Sequence, residues 1–302
     1  MKKVIVILGP TGVGKTKLSI ELAKRYNGEI INGDSMQVYK EMNIGTAKIK
    51  EEETEGIPHH LFSILSFNES NSIYEFQRLV RNKIEEISSR NKTPIIVGGT
   101  GLYLKACLYD YEFKENDNDN EILKQYDNYS NEELHNVLKE LDLESANKIH
   151  QNNRRRVLRA IEICLTNGES KTKLESKQEH KLIYDAIFIG LTLDRKILHE
   201  IQDRRVDKML EEGLLDEVKK LVNNVDFLNN TASQAIGYKE FIPYFNNEID
   251  LNTAVEQIKI HTHQYAKRQY TYFKNQLNVN WIEVDLNNFN KTVEKVNNII
   301  DG

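Results

Sequence analysis

The chain has 302 residues, room for one large core or a main domain with an insertion, since single domains commonly run to about 100–200 residues. Hydrophobic residues at 39% and charged residues at 29% exclude a disordered chain, and no apolar stretch approaches the roughly 20 residues of a membrane span. A net charge of −5 neither advertises nor excludes a nucleic-acid partner, because a local basic face matters more than the total. Cys107 and Cys164 offer neither metal spacing nor a disulfide framework and read as packed thiols.

The opening apolar run ends at Gly9 and Pro10, too short for a secretory h-region, so the cytoplasm is the expected location. Val4 to Leu8 is continuous, apolar and β-branched, as in a strand buried on both faces of a parallel sheet. It runs directly into Gly9-Pro10-Thr11-Gly12-Val13-Gly14-Lys15-Thr16, which fits G-x-x-x-x-G-K-[ST], and Leu18, Ile20 and Leu22 then mark a helix reaching Asn27-Gly28. Such a loop converges backbone N–H groups on phosphate oxygens at a helix amino terminus. Lys15 adds a point charge, and the Thr16 hydroxyl can reach Mg²⁺.

A phosphate loop predicts an α/β fold, a P-loop NTPase-like parallel sheet flanked by helices, but not a reaction. The next strand, Glu29 to Asn32, leads into Gly33-Asp34-Ser35-Met36-Gln37 and puts Asp34 at the sheet edge where α/β proteins bind ligands. An Asp after a strand is also a common turn residue or helix cap. A third run, Pro94 to Val97, ends in Gly98-Gly99-Thr100-Gly101-Leu102-Tyr103. A nucleotide hydrolase would carry an Asp there to hold magnesium, so an ATPase is disfavoured.

From residue 116 to residue 181 the sequence is polar and helical in pattern, with Leu134, Val137, Leu138 and Leu141 on one face. The stretch Glu115 to Asn120 reads as a linker entering it. Within it lies Asn152-Asn153-Arg154-Arg155-Arg156-Val157-Leu158-Arg159-Ala160-Ile161. Arg155 and Arg159 share a helix face while Val157, Leu158 and Ile161 pack inward, and three consecutive arginines cannot all pair internally. They face solvent, as charge runs commonly do, or phosphate. Tyr184 to Leu193 restores a buried strand, so residues 1–115 and 182–302 are expected to form the core around a helical insertion at 116–181.

In the last third, Val206, Met209 and Leu210 form an apolar helix face closed by Gly213. Gln234-Ala235-Ile236-Gly237-Tyr238-Lys239 reads as a helix with a glycine. A long helix from Thr253 to Lys274 carries His261, His263, Lys267 and Arg268, and Trp281 to Val284 is a last strand. His261 and His263, two apart on a helix, point away from each other and cannot chelate one metal ion.

The segments GPTGVGKT, GDSMQVYKEMNIGTAK, GGTGLYLKA, NNRRRVLRAIEI, QAIGYKEF and YAKRQYTYF, in this order over nearly the whole chain, resemble the tRNA dimethylallyltransferase, or tRNA isopentenyltransferase, family. The resemblance implies that residues Gly9 to Thr16 hold the diphosphate of dimethylallyl diphosphate with Mg²⁺ at Thr16. The acceptor it implies is N6 of the adenosine immediately 3′ of the tRNA anticodon, with diphosphate as leaving group. The insertion is then expected to grip the anticodon stem-loop, with Arg154 and Arg155 as the leading phosphate contacts beside Asn152, Asn153 and Arg156. Ser35, Met36, Gln37, Gln234, Gly237, Tyr238 and Lys239 also fall at the RNA in this reading. Arg205 lies where the family places an arginine near the diphosphate, although a surface salt bridge explains it nearly as well.

The reaction needs a base, because the adenine amino group has its lone pair delocalised into the ring. Asp34 is the candidate base, also placed to hold the acceptor, and Thr100 the candidate orienting group. His263 and Tyr272 depart from the family pattern, standing where arginine and tryptophan are common. The alternatives left by the sequence are a nucleotide or small-molecule kinase and a non-catalytic RNA-binding module. A monomer is expected.

Overall fold

Six parallel strands form one sheet in the computed structural model, which describes residues 1–69, 71–111, 123–176 and 179–302. They are β1 (Lys3–Leu8), β2 (Gly28–Asn32), β3 (His59–His60), β4 (Thr93–Gly98), β5 (Asp185–Thr192) and β6 (Asn280–Glu283), in the order β3-β2-β4-β1-β5-β6. The chain divides into two compact units, residues 1–109 with 182–302, and residues 110–181. The stretch read as an entering linker, Glu115 to Asn120, lies outside the described residues.

β1 sits at the centre and pairs with β4 on one side and β5 on the other. Its side chains alternate between two cores, Val4, Val6 and Leu8 in one and Ile5 and Ile7 in the other, all fully buried. This is why the run carries no polar residue at alternate positions: both faces are covered. Ile5 and Ile7 pack with α1 (Lys15–Arg25). Val4, Val6 and Leu8 pack with α2 (Ile73–Ser89) and α3 (Gly101–Leu108). Ser72 caps α2 through a capping box with Glu75, a helix-start signal written in the sequence as S-x-x-E. β3, only two residues long, was not foreseen; its pairing is set by β2, through Ile30 and Ile31.

The second unit is helical: α4 (Asn131–Leu141), α5 (Leu143–Lys148), α6 (Arg154–Asn167) and α7 (Lys171–Ser176). Its core is Leu134, Leu138, Ala146, Val157, Ala160 and Ile161, with Val137, Leu141 and Leu158 partly buried against it. Asp142 ties three of the helices together. Its carboxylate accepts from Ser145 N and Oγ at 3.0 and 2.8 Å and from Thr172 N and Oγ1 at 2.9 and 2.8 Å. Burial pushes this carboxyl up, but the hydrogen bonds outweigh it and hold it at about 2.

The chain returns through β5 to α8 (Arg195–Glu211), α9 (Leu214–Val222), α10 (Val225–Asn229), α11 (Phe241–Phe245), α12 (Leu251–Gln276) and α13 (Phe289–Asp301). Gly213, at φ 100°, ends α8 as its sequence position suggested. The helix expected over 234–239 is corrected. A 3₁₀ turn covers Thr231–Gln234 and α11 starts only at Phe241. The break is at Gly237, whose φ of 92° is left-handed and whose N–H goes to Glu240 Oε2 at 2.8 Å instead of a helical carbonyl.

α8 and α12 run antiparallel, with Asp203 beside His263 at 2.8 Å and Asp207 beside Lys259 at 2.8 Å. His263 also stacks on His199, ring centroids 3.8 Å apart. His261 meets Glu240 at 2.7 Å. Both histidines are therefore links between elements. Among the described residues no helix is long and apolar enough to cross a membrane.

Candidate active site

The carboxyl ends of β1, β4 and β2 lie side by side, and the loops leaving them make the site. Gly98 is what lets β4 and β2 end so close together. A Cβ at Gly98 would stand 2.1 Å from the Gly33 carbonyl oxygen, and Gly33 N donates to Val97 O at 2.8 Å. This approach delivers Thr100 to the loop after β2, where its Oγ1 accepts from Ser35 N at 3.2 Å and lies 3.4 Å from Ser35 Oγ.

Asp34 is held on both sides. Its N–H donates to Asn32 Oδ1 at 2.8 Å, and its Oδ1 accepts from Met36 N at 2.9 Å. Asn32, fully buried, also ties this turn to the chain through bonds to the Asp34 and Leu61 carbonyls, both 3.0 Å. The turn-capping reading of Asp34 is thus real for one oxygen, and the same carboxylate lines a cavity of about 260 Å³.

The phosphate loop follows β1 directly. α1 starts at Lys15 with Gly14 at its N-cap, a left-handed residue that supplies no side-chain cap. Its first N–H groups are therefore left for an external anion, as is common at such loops. Pro10 has no N–H, and its carbonyl and that of Gly9 each accept from Lys15 Nζ at 2.8 Å. Val13 sends its side chain into the core, so only its backbone is available. Thr11 lines the cavity, and Thr16 is exposed in the first turn of α1.

Arg205, on α8, lines the same cavity. Burial lowers its pKa, partly offset by Glu53 and Glu212. Lys15 is brought down to about 8, by burial first, against the pull of Asp34 and with the help of Arg205. Two cations held close enough to depress one of them, beside an uncapped helix terminus, are an arrangement that suits a multiply charged anion.

Ser35, Met36, Gln234, Gly237 and Lys239 line the cavity with Asp34. Gln37 donates its amide to the Thr46 carbonyl at 2.9 Å and supports the cavity wall. Tyr238 is corrected as an RNA contact: it is 0% exposed and its hydroxyl donates to Glu217 Oε1 at 2.6 Å.

The arginine run lies in the other unit, and the structure reorders it. Arg154 is committed internally, to the Tyr126 and Asp127 carbonyls at 3.1 and 3.0 Å and to the Tyr129 carbonyl. Asn153 caps α6 by accepting from Arg156 N at 3.4 Å, while Asn152 is exposed. Arg159 pairs with Glu162 at 2.7 Å. Arg155 and Arg156 are exposed and without a side-chain partner among the described residues. Among the described residues the pair without a side-chain partner is thus Arg155 and Arg156, whereas the sequence put Arg154 and Arg155 first.

Three cavity residues escaped the sequence reading. Gln202 is 1% exposed, donates to Thr11 O at 2.9 Å, and leaves its Oε1 without a hydrogen bond. Its signal was available, three residues before Arg205 on one helix face. Burial, and after it the nearby charge of Asp34, raise the Tyr265 phenol to about 12, and Arg268 lies 5.6 Å from the Tyr265 ring. Both fall inside the YAKRQYTYF block. Tyr272, in the same block, packs over Gly101, where an added Cβ would come within 2.2 Å of its ring.

The IPP transferase family model matches residues 37–276. A tRNA dimethylallyltransferase of Anoxybacillus flavithermus is 48% identical over 302 residues, 100% of this chain and 97% of that protein. One of Bacillus velezensis is 50% identical over 285 residues, 93% and 90% of the two chains. Among solved structures, a tRNA isopentenylpyrophosphate transferase of Staphylococcus epidermidis is similar with a TM-score of 0.74 at 44% identity, covering 100% of this chain and 99% of that one. A eukaryotic dimethylallyltransferase acting on tRNA is similar with a TM-score of 0.86 at 35% identity, covering 100% and 80%. The kinase alternative is not favoured by these likenesses. With a family model matching most of its length and relatives about half identical to it throughout, this chain belongs to the IPP transferase family.

Proposed function

We propose that this chain transfers a dimethylallyl group from dimethylallyl diphosphate to N6 of the adenosine immediately 3′ of the anticodon in tRNA. The observation that carries the reading is one cavity lined by both Arg205, close to Lys15 of the phosphate loop, and the carboxylate Asp34. An anion site and a base in one cavity suit a reaction in which an anion leaves as a proton is removed.

The donor's diphosphate lies on the loop amides, Lys15 and Arg205. As N6 bonds to the allylic carbon, the carbon–oxygen bond breaks and its electron pair leaves with diphosphate. Asp34 accepts the N6 proton through the oxygen not engaged by Met36 N. Thr100 fixes the loop carrying Asp34 by accepting from Ser35 N. The adenine leaves its stack to enter the cavity, which costs less from a loop than from a duplex.

Mg²⁺ fits this site as a partner of the donor. Among the described residues no group of three His, Cys, Asp or Glu could hold a metal ion, and Thr16, exposed in the first turn of α1, is the residue that would hold it with the donor bound. The ion's chemistry would be charge neutralisation on the leaving diphosphate. The cytoplasm and a single chain are the expected setting.

Incubation with labelled dimethylallyl diphosphate or labelled ATP, with and without bulk tRNA, tests the reading. Label from dimethylallyl diphosphate should appear in tRNA. Transfer from ATP to a small acceptor, with none from the prenyl donor, would return the kinase.

The exposed arginines of α6 carry a separate prediction. Arg155→Ala with Arg156→Ala weakens tRNA binding and reduces the slope of log affinity against log salt by about one unit per lost phosphate contact. Arg154→Ala instead loosens the 126–129 turn it holds, seen as a lower melting temperature with the slope kept. An unchanged slope in the double variant returns Arg155 and Arg156 to a solvated helix face.

A further inference from the structure

We infer that Glu217 is a positioning residue for the acceptor side of the cavity, held in place by Tyr238. The inference rests on the prenyl-transfer reading of that cavity. Glu217 lies in the first turns of α9 and does not line the cavity. Its carboxylate accepts from three consecutive backbone N–H groups: Asn43 at 3.0 Å, Ile44 at 2.9 and 3.1 Å, and Gly45 at 3.1 Å. Tyr238 adds a fourth donor at 2.6 Å. A carboxylate with so many donors forms strong, charge-assisted bonds and fixes the backbone that supplies them.

The turn it fixes has two sides. Outside are Glu217 and the Tyr238 ring, which lies so close that a Cβ on Gly45 would come within 2.4 Å of it. Inside, Gly45, Thr46 and Ala47 form part of the cavity wall. Lys48 closes the base of the turn, donating to Asn43 Oδ1 and Ser63 Oγ, both at 2.9 Å, and to the Tyr39 carbonyl. Gln37 reaches the Thr46 carbonyl at 2.9 Å and so couples this wall to the segment that starts at Asp34.

None of the groups assigned to the diphosphate lies in residues 43–48. The donor is anchored by the loop, Lys15 and Arg205, whereas this wall is completed by Gln234 to Gly237, next to Tyr238. Loosening the turn therefore changes the fit of the entering base and leaves the diphosphate anchor intact.

The test uses the full chain with tRNA, dimethylallyl diphosphate and Mg²⁺. Glu217→Gln keeps the shape but loses the charge shared by its donors, and should raise KM for tRNA about tenfold with KM for the donor within about twofold. Tyr238→Phe, which keeps the ring and removes one donor, should show the same split at about threefold, and it keeps the inference testable if Glu217→Gln does not fold. Both KM values rising together in a folded variant, or neither moving, overturns the assignment. The parent chain in the same assay separates the two failures: no transfer by the parent sinks the prenyl-transfer reading, whereas transfer by the parent without the split sinks only Glu217.

Discussion

Asp34→Asn should lower the single-turnover rate of prenyl transfer by about 10²–10⁴-fold, the usual cost of losing general-base assistance. The structure makes this substitution selective. Asparagine can still accept the Met36 N–H that Asp34 Oδ1 takes at 2.9 Å, so the turn after β2 is kept. It cannot accept the N6 proton at neutral pH. Binding titrations for tRNA and donor should therefore remain close to the parent's. A rate within about threefold of the parent, well short of the general-base range, would reduce Asp34 to a turn residue. A large loss with equally poor tRNA binding would make it a holder of the flipped adenosine.

Lys15→Ala should lower kcat/KM for the donor by about 10²–10³-fold, the range seen when one preorganised stabiliser of developing charge is removed. Affinity for tRNA should stay within about twofold, since among the described residues Lys15 Nζ donates to the Gly9 and Pro10 carbonyls, within the loop expected to hold the anion. The pH profile supplies a second readout. Because Lys15 is brought to about 8, mainly by burial, kcat/KM in the parent should fall as pH rises above about 8 and the free enzyme loses this charge. Neighbouring substitutions have opposite signs. Asp34 pulls the Lys15 pKa up, so Asp34→Asn moves the alkaline fall to lower pH. Arg205 pushes it down, so Arg205→Met moves the fall to higher pH while lowering the rate at every pH. A fall that ignores both changes belongs to another group.

The run from β1 through the phosphate loop into α1 was legible because each signal there is local. A strand buried on both faces needs an unbroken apolar run, the loop needs its glycines in fixed order, and the helix restarts the period at once. The second unit was legible in the same way, since Leu134, Leu138, Val157 and Ile161 repeat at helical spacing and all are buried. The period failed at 234–239, where the residues suit a helix but Gly237 takes a left-handed turn to meet Glu240.

Sequence by itself determined the five longer strands, their order along the chain and the residue types that carry charge to the ligand edge of the sheet. Tertiary structure decided which of those charges are free. Arg154, Arg155 and Arg156 are equivalent as letters, yet Arg154 is taken by carbonyls 25 to 28 residues earlier and the other two are not. Tyr238 looks like a recognition residue until Glu217, 21 positions before it, claims its hydroxyl. Gln202 becomes part of the site only because Thr11, 191 positions away, folds beside it. Backbone period and turn chemistry are properties of neighbours along the chain. The partner of a polar side chain is set by the whole packing arrangement, and a charge is available to a ligand only where that packing supplies no closer one.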